Sequence, residues 1–304
     1  MSTESLRPTR SAVSDGVIHD IGYQRYTGPR LGRRHVFGAL YLHGLRTAFG
    51  LGRSAKAKIF PWLVMGIVLI VAAGLTAVRT QTGQVVMTYA QFADAMSWLV
   101  IFFVAVVGPE LVSRDLHSGV LPLYFSRPLP RGDYALAKLG SLVTALWLLL
   151  GAPQLVMFLG AAFTTKDGLG GVWDELLDLL PGLLYAALWA VVFASVGLLI
   201  ASLTGKRAFA AGGIVAVFLM TAPIVGILSI MPSRTVNELA MLGSPTALIH
   251  AVGEYTLGDL LVPNGQSEDY QIGGFGPVYV AVAALLVAGC VTLLLLRYRK
   301  VAAR

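Results

Sequence analysis

The amino-acid sequence predicts an all-α membrane protein with six transmembrane helices and with both termini in the cytoplasm. The 304-residue chain is 56% hydrophobic and only 13% charged, whereas an average soluble domain has about 25% charged residues. Long apolar runs recur along the chain, and basic residues are concentrated in alternate connections between them. This composition excludes a soluble enzyme and a disordered chain, and the single cysteine excludes a disulfide-stabilised secreted domain.

Six apolar runs are long enough to cross a bilayer, because a hydrocarbon core of about 30 Å requires roughly 20 apolar residues in helical form. The runs are continuous rather than alternating, which favours helices over a barrel. Pro153 and Pro223 interrupt the third and fifth runs, but membrane helices tolerate proline where neighbouring groups satisfy the freed carbonyls. The predicted spans are residues 59–78, 95–112, 139–163, 179–203, 208–231 and 277–296.

The positions of the basic residues predict the orientation. Twenty of the 23 Lys and Arg residues lie in the N-terminal stretch, in the connections after the second and fourth spans, and in the C-terminal tail. The three other connections carry one basic residue each and, apart from Asp94 at the edge of the second span, nine carboxylates in total. Because cytoplasmic connections carry the excess of positive charge, this distribution predicts cytoplasmic termini and an even number of spans.

The segments outside the spans differ in character. Residues 1–32 are polar and predict a cytoplasmic extension. In residues 33–58 apolar side chains recur near helical spacing between basic ones, which predicts an amphipathic helix on the membrane surface, with a solvated linker as the alternative. The outer connection 232–276 is moderately apolar in its middle but too short to span twice, and it predicts short helices in the outer leaflet before the last span.

No pattern for catalysis or nucleotide binding is present on this chain. The only Gly-Lys pair, Gly205-Lys206, is followed by Arg207 and lacks the leading glycine of a phosphate-binding loop. There is no His-Glu-x-x-His pair and no Gly-x-Ser-x-Gly elbow, and the five histidines are scattered. We therefore predict no catalytic, cofactor-binding or metal site, and the placement of the basic residues gives no indication of nucleic acid binding.

Two carboxylates belong to the second span. Glu110 precedes Arg114 by four residues, a spacing that allows an ion pair at the helix end. Asp94 falls at the outer end of the span, where we expect a solvated carboxylate. None of the predicted spans has an ionisable residue at its centre, which argues against proton- or sodium-coupled transport and suits a hydrophobic or amphipathic substrate.

The connection 113–138 is rich in charges and turn formers, and it carries a spaced set of motifs together with the residues that flank it. These are Glu110, Arg114-Asp115, Gly119-Val120-Leu121, Ser126-Arg127-Pro128, Arg131, Tyr134 and Lys138. The set resembles the permease subunits of ABC-2 type ABC transporters, which typically show an acidic residue, a Gly-x-Leu, a small-Arg-Pro and a lysine entering the third span. The predicted topology and the long outer connection before the last span are similar as well.

The resemblance implies that residues 59–304 form the transmembrane domain of an ATP-driven exporter in the bacterial cytoplasmic membrane. Two permease subunits, identical or different, would pair within the membrane lipid. Each would dock a separate ATP-binding subunit, which holds ATP and Mg and hydrolyses the ATP, through a coupling helix in segment 113–138. This chain would then be non-catalytic. The implied interface residues are Arg114, Asp115, His117, Gly119, Leu121, Arg127, Pro128 and Arg131.

The residues leave three other classes of function open, one of which is a structural or sensory membrane protein without transport. A secondary transporter or channel would be indicated by ionisable residues near the membrane midplane or by inverted repeats. A membrane-embedded enzyme would require catalytic His, Asp or Glu residues within the spans. The identity of the substrate and the residues that line its path are not indicated by the sequence.

Overall fold

The structure is a computed structural model in which every regular element of the described residues is a helix. The described residues are 28, 32–113, 115, 130–166, 168–258 and 272–301, without the side chains of Arg131, Lys300 and Val301. The α-helices are α1 (Arg33–Ala48), α2 (Ala55–Thr82), α3 (Tyr89–Ala95), α4 (Ser97–Leu111), α5 (Arg131–Thr164), α6 (Gly168–Leu203), α7 (Arg207–Met220), α8 (Ala222–Ser229), α9 (Arg234–Glu238), α10 (Pro245–Leu257) and α11 (Gly276–Val301), and a 3₁₀ helix covers Ala240–Gly243.

Five helical segments of the described chain are long and apolar enough to cross a membrane. They are α2, α5, α6, the consecutive helices α7 and α8 taken together, and α11. Helices α3 and α4 meet the same criteria as a pair, although they are bent by 54° at Met96. The prediction of an all-helical fold is thus confirmed for the described residues, and five of their helical segments, or six if the bent pair is one span, are able by length and composition to cross a membrane.

Helices α5 and α6 extend well beyond the apolar runs predicted for the third and fourth spans. Helix α6 has 36 residues, and at 1.5 Å per residue it is about 54 Å long, nearly twice the thickness of a hydrocarbon core. Its first turns carry Asp174, Glu175 and Asp178. An apolar run reports the part of a helix that contacts lipid and not where the helix begins.

The predicted surface helix over residues 33–58 is shorter than expected. Helix α1 ends at Ala48, and α2 begins at Ala55. Gly50 and Gly52 have φ angles of 67° and 78°, a left-handed conformation that terminates helices and that glycine adopts without steric cost. The backbone N–H of Leu51 donates to the carbonyl of Arg46 at 2.7 Å, which closes the end of α1.

The span predicted over residues 208–231 is divided into α7 and α8 at Thr221. Pro223 lies in the first turn of α8, where its missing N–H costs nothing, whereas in a continuous helix it would clash with the preceding turn. The Thr221 hydroxyl donates to the Val217 carbonyl at 2.6 Å and so satisfies part of the interrupted helix. The prolines of α2, α4, α5 and α6 lie inside helices that continue through them.

Helix α6 forms the centre of the bundle. It packs against α3, α4, α5, α7 and α11. Over an apolar stretch of 18 residues α6 is 61% buried, whereas the corresponding stretches of α2 and α11 are 28% and 22% buried. Trp189 and Phe193 of α6 continue into a stack with Phe218 of α7, in which the rings of Phe193 and Phe218 are 4.1 Å apart and nearly parallel. The remaining faces of α2 and α11 are apolar and exposed.

The connection before the last helix folds into α9, the 3₁₀ helix and α10. Residues of these helices form a second apolar cluster against α11 that includes Met241, Leu248 and Tyr279. The Tyr279 hydroxyl donates to the Glu238 carbonyl at 2.6 Å, which ties α11 to α9. The short helices predicted here are therefore present, while their location in the outer leaflet stays a prediction.

Candidate functional site

Among the described residues, seven helix ends meet at one end of the bundle. We call it the basic end because Arg33, Arg53, Lys138, Arg207 and Arg297 lie there. Arg297 of α11 donates to the carbonyls of Ser202 and Leu203 at the end of α6. The other helix ends that meet there are the starts of α1, α2, α5 and α7 and the end of α4. These are the helix ends that the charge distribution assigns to one side of the membrane; which side is cytoplasmic stays a prediction.

Glu110 of α4 contacts two cations at the basic end. One carboxylate oxygen lies 2.5 Å from Nη1 of Arg53, and the other lies 2.7 Å from Nη1 of Arg207. The Glu110 side chain is 17% exposed, and that of Arg53 is 24% exposed. Glu110 thus joins the end of α4 to the starts of α2 and α7. Arg114, its partner predicted from sequence, lies outside the described residues.

Asp115, Tyr134 and Lys138 form a compact group that we call the Asp115 clasp. Oδ2 of Asp115 accepts a hydrogen bond from the Tyr134 hydroxyl at 2.6 Å and lies 3.0 Å from Nζ of Lys138. The Lys138 side chain is only 4% exposed, and removing a buried ammonium's counter-ion is strongly destabilising. Because Asp115 follows α4 and the two other residues belong to α5, the clasp joins the two ends of segment 113–138.

Two further contacts fix the surroundings of the clasp. Arg33 of α1 forms a two-pronged ion pair with Asp133 of α5, with N···O distances of 2.5 and 2.6 Å. This hydrogen bonding raises the pKa of the Arg33 guanidinium, which is protonated at physiological pH even without a partner. The buried Ser113 hydroxyl donates to the Ala201 carbonyl at 2.7 Å, which attaches the chain just beyond α4 to the end of α6.

Only part of the predicted interface is described. Asp115 belongs to the clasp described above. Arg131 is the first residue of α5, and its side chain is outside the described part of the structure. The other predicted interface residues lie outside the described residues: Arg114, His117, Gly119, Leu121, Arg127 and Pro128.

Arg53 and Arg207 were not singled out from the sequence as partners of Glu110. Each lies just before or at the start of an apolar helix, and a carboxylate near the end of a span requires a cation. That requirement indicates that a partner exists, but it does not choose among the basic residues on the same side of the membrane.

Asp94, at the opposite end of the bundle, is not solvated as the sequence analysis expected. Its side chain is 15% exposed, and Oδ1 accepts hydrogen bonds from the Tyr185 hydroxyl at 2.7 Å and from Nε1 of Trp189 at 3.2 Å. Oδ2 lies 3.4 Å from Nδ1 of His250 on α10. The expectation was wrong because a position at the end of a span does not by itself mean exposure to solvent. The chain bends at Met96, and α3 packs against α6.

A cavity of about 340 Å³ lies beside this carboxylate. Its walls come from α4, α6, α7, α8, α10 and the 3₁₀ helix, and Trp189 and His250, which both contact Asp94, are part of them. On α10, burial raises the pKa of the Glu254 carboxyl, and the nearby His250 opposes that rise. The volume is within the range of about 300–1,000 Å³ typical of small-molecule sites.

Another ion pair lies at the same end of the molecule. Arg79, near the end of α2, pairs with Glu175 of α6, and Oε2 of Glu175 also accepts a hydrogen bond from the Tyr89 hydroxyl at 2.9 Å. These contacts bring α2, α3 and α6 together. Arg79, the only basic residue of the first predicted outer connection, is thus paired with a carboxylate.

No protein-family model matches the chain, and a comparison with curated proteins finds no significant match. Within the part of the chain that the structure describes, no group of three or more His, Cys, Asp or Glu side chains could hold a metal ion. The candidate sites are therefore the basic end, with Glu110 and the Asp115 clasp, and the cavity beside Asp94.

Proposed function

We propose that the chain is the membrane subunit of an ATP-driven exporter of the ABC-2 type. In this proposal α2, the α3–α4 pair, α5, α6, α7–α8 and α11 are six spans, the basic end faces the cytoplasm, and α1 lies on the inner membrane surface. A second permease subunit would pair with this one in the bacterial plasma membrane. ATP and Mg would be bound by a separate subunit docked on segment 113–138.

The observation that carries this proposal is the attachment of that segment at both of its ends. On the α4 side, Ser113 is bonded to α6 and Asp115 belongs to the clasp. On the α5 side, Tyr134 and Lys138 complete the clasp, and Asp133 is held by α1. A displacement applied to the segment would therefore move α4 and α5 together, and through Glu110 it would move the starts of α2 and α7.

This arrangement suits a device in which work done outside the membrane changes the arrangement of the spans. Closure of an ATPase dimer upon ATP binding would shift the docked segment, and the short, partly buried ion pairs would transmit the shift to the helices. Charge-assisted hydrogen bonds suit this role because they are shorter and stronger than neutral ones. The substrate would then move between inward- and outward-facing arrangements of the bundle.

The direct test is co-expression with a Walker-motif ATPase encoded beside this chain. We expect the two proteins to co-purify and the permease to change the ATPase rate. The charge reversal Asp115→Lys is expected to leave the chain in the membrane but to abolish that change, because it breaks the clasp and places two ammonium groups together.

Two further variants make this test interpretable. Asp174→Lys makes the same charge change at an exposed carboxylate of the opposite end and should leave coupling intact. The charge exchange Asp115→Lys with Lys138→Asp should restore part of the coupling. If well-folded Asp115→Lys protein couples like the unaltered chain, the clasp has no role in docking.

A second candidate, a proton-coupled secondary transporter, is favoured by one observation. Asp94 is a largely buried carboxylate in the bent pair α3–α4, and such groups mark ion pathways in secondary transporters. The chain alone, reconstituted in vesicles with an internal pH indicator, distinguishes the two. An exporter driven by a partner ATPase should leave an imposed pH gradient intact, whereas a proton-coupled transporter should dissipate it when substrate is added.

A further inference from the structure

The cavity beside Asp94 lies where two spans are interrupted. The bend between α3 and α4 is at Met96, and the cavity is lined by the next two residues, Ser97 and Trp98. The break between α7 and α8 is at Thr221, and Leu219 and Ala222 on either side of it line the same cavity. Interrupted helices are tolerated at membrane depth where they are buried in protein or line a cavity, and in transporters they mark binding sites.

The break at Thr221 is supported by hydroxyl groups. Oγ1 of Thr221 lies 3.0 Å from Oγ of Ser244, which lies 2.7 Å from Oγ1 of Thr246. Both Ser244 and Thr246 line the cavity. These hydroxyls satisfy one another, so they supply polarity without demanding a charged ligand.

The charges around the cavity are acidic. Asp94 does not itself line the cavity, but its carboxylate contacts two residues that do, Trp189 and His250. Glu254 is one turn further along α10 from His250. Among the described residues that line the cavity, none is Lys or Arg. The 3.4 Å separation between Asp94 Oδ2 and His250 exceeds the usual range for a strong hydrogen bond. A better donor can therefore compete for this oxygen, and the His250 side chain, 48% exposed, has room to move.

Part of the apolar wall of the cavity is aromatic. Trp98, Trp189 and Phe218 contribute ring surfaces to the cavity, and Trp98 is 57% exposed. Aromatic faces attract cations, most strongly when the ring is indole. A carboxylate behind aromatic walls is therefore a combination that favours an organic cation over a neutral or anionic compound.

We propose that this cavity binds the ammonium group of an organic cation, with Asp94 as its counter-ion and Trp98 and Trp189 as its aromatic walls. The role of such a cation as the exported substrate rests on the proposed function; its binding does not. The shared chemistry is an alkylated ammonium group, which both soluble amphipathic cations and choline lipids carry.

Binding is measured with the purified full-length chain in a non-ionic maltoside detergent, without ATP or an ATPase. The probe is benzyltrimethylammonium, followed by intrinsic tryptophan fluorescence, and the comparison compounds are benzyl alcohol and benzenesulfonate. We expect saturable quenching by the cation and none by the sulfonate. Asp94→Asn should weaken binding by about tenfold or more, since a hydrogen bond to a charged group contributes about 1.5–3 kcal/mol.

Two other variants keep the test decisive. Asp174→Asn removes the same charge from an exposed position and should bind like the unaltered chain. Trp98→Leu removes an exposed ring that the fold does not need, and it should weaken binding severalfold even if Asp94→Asn proves unstable. Competition by a short-chain phosphatidylcholine assigns the site to a lipid headgroup, and the absence of competition assigns it to a soluble cation.

Three results would overturn the proposal. They are a cation signal that does not saturate, equal affinity for the cation and the sulfonate, and wild-type affinity in a folded Trp98→Leu or Asp94→Asn protein. None of these results bears on the ATPase measurements. Failure of cation binding and failure of the proposed exporter function are thus separate outcomes.

Discussion

Glu110 contacts Arg53 and Arg207 at the same time, so one carboxylate connects three helix ends. It is largely shielded from water, and each cation approaches a different carboxylate oxygen. An exposed ion pair contributes little to stability, since screening and side-chain entropy offset most of the Coulomb energy. A shielded carboxylate between two guanidinium groups contributes more to stability, because its removal leaves two positive charges close together.

We expect Glu110→Gln to destabilise the protein by about 1–3 kcal/mol, since a partly buried charge network loses its central group. The measurement is the thermal unfolding midpoint in detergent, read with a dye that reacts with the buried thiol of Cys290 when the bundle opens. Arg234→Gln is the matched control, since it breaks an i,i+4 pair whose arginine is 88% exposed. Equal midpoints for Glu110→Gln and the unaltered chain would show that Glu110 does not hold these helices together.

The charged residues also show what the sequence could and could not predict at this scale. Glu110 was singled out from the sequence as a carboxylate of the second span that requires a partner, and Asp115 as part of the motif set that resembles ABC-2 permeases. The identity of those partners depends on which helix ends are neighbours, and Arg53 is 57 positions away from Glu110 along the chain. Asp94 was misjudged for the same reason, since Tyr185 and Trp189 become its donors only after α3 packs on α6.

At the scale of helices, close approach to α6 depends on glycine. A Cβ atom at Gly182 would collide with Cβ of Tyr89, and one at Gly197 would collide with Cγ1 of Val104. Small residues of this kind let membrane helices pack closely where no hydrophobic driving force acts between them. Neither neighbour can move aside easily, because Cβ of Tyr89 is fixed to its backbone and valine is restricted at χ1.

Gly182→Ala is therefore expected to destabilise the bundle by about 1–3 kcal/mol through overpacking. The control is Gly212→Ala in α7, where an added Cβ meets no atom within 4 Å, so the substitution should be neutral or slightly stabilising through helix propensity. Unfolding midpoints of the two variants in the same detergent give the comparison. A Gly182→Ala protein as stable as Gly212→Ala would mean that α3 shifts freely along α6.

Apolar length predicted which helices exist better than where they end. Four of the six predicted runs lie within a single helix, and the other two, 95–112 and 208–231, are each covered for the most part by two consecutive helices, because hydrophobicity over about 20 residues leaves few alternatives. Their ends were predicted poorly, since polar turns such as the start of α6 extend a helix beyond the apolar run. The break at Gly50 and Gly52 depends on φ angles that a hydropathy pattern does not report.

At the scale of the whole molecule, the ion pairs assign the helix ends to two groups. Glu110, the Asp115 clasp and Arg297 lie in one group, and the Arg79–Glu175 pair and Asp94 lie in the other. This grouping agrees with the alternation of basic connections in the sequence. In the proposed function, the exposed apolar faces of α2 and α11 would contact lipid or a second permease subunit.

Cysteine labelling tests this topology in a Cys290→Ser background, which removes the only thiol of the chain. With a membrane-impermeant maleimide on intact cells, Gln84→Cys and Ser233→Cys should react at once. Ser54→Cys and Lys206→Cys should react only after the membrane is permeabilised. All four positions are exposed, so a difference reports sidedness rather than burial. Reaction of Ser54→Cys in intact cells would contradict the orientation.

The contacts at the start of α5 have unequal access to solvent, and ionic strength therefore acts on them unequally. The Arg33 side chain is 66% exposed, whereas the Lys138 side chain is 4% exposed. At physiological salt the Debye length is about 8 Å, and mobile ions weaken exposed pairs much more than shielded ones. Rising salt thus loosens the attachment of α1 to α5 while the Asp115 clasp keeps α4 and α5 joined.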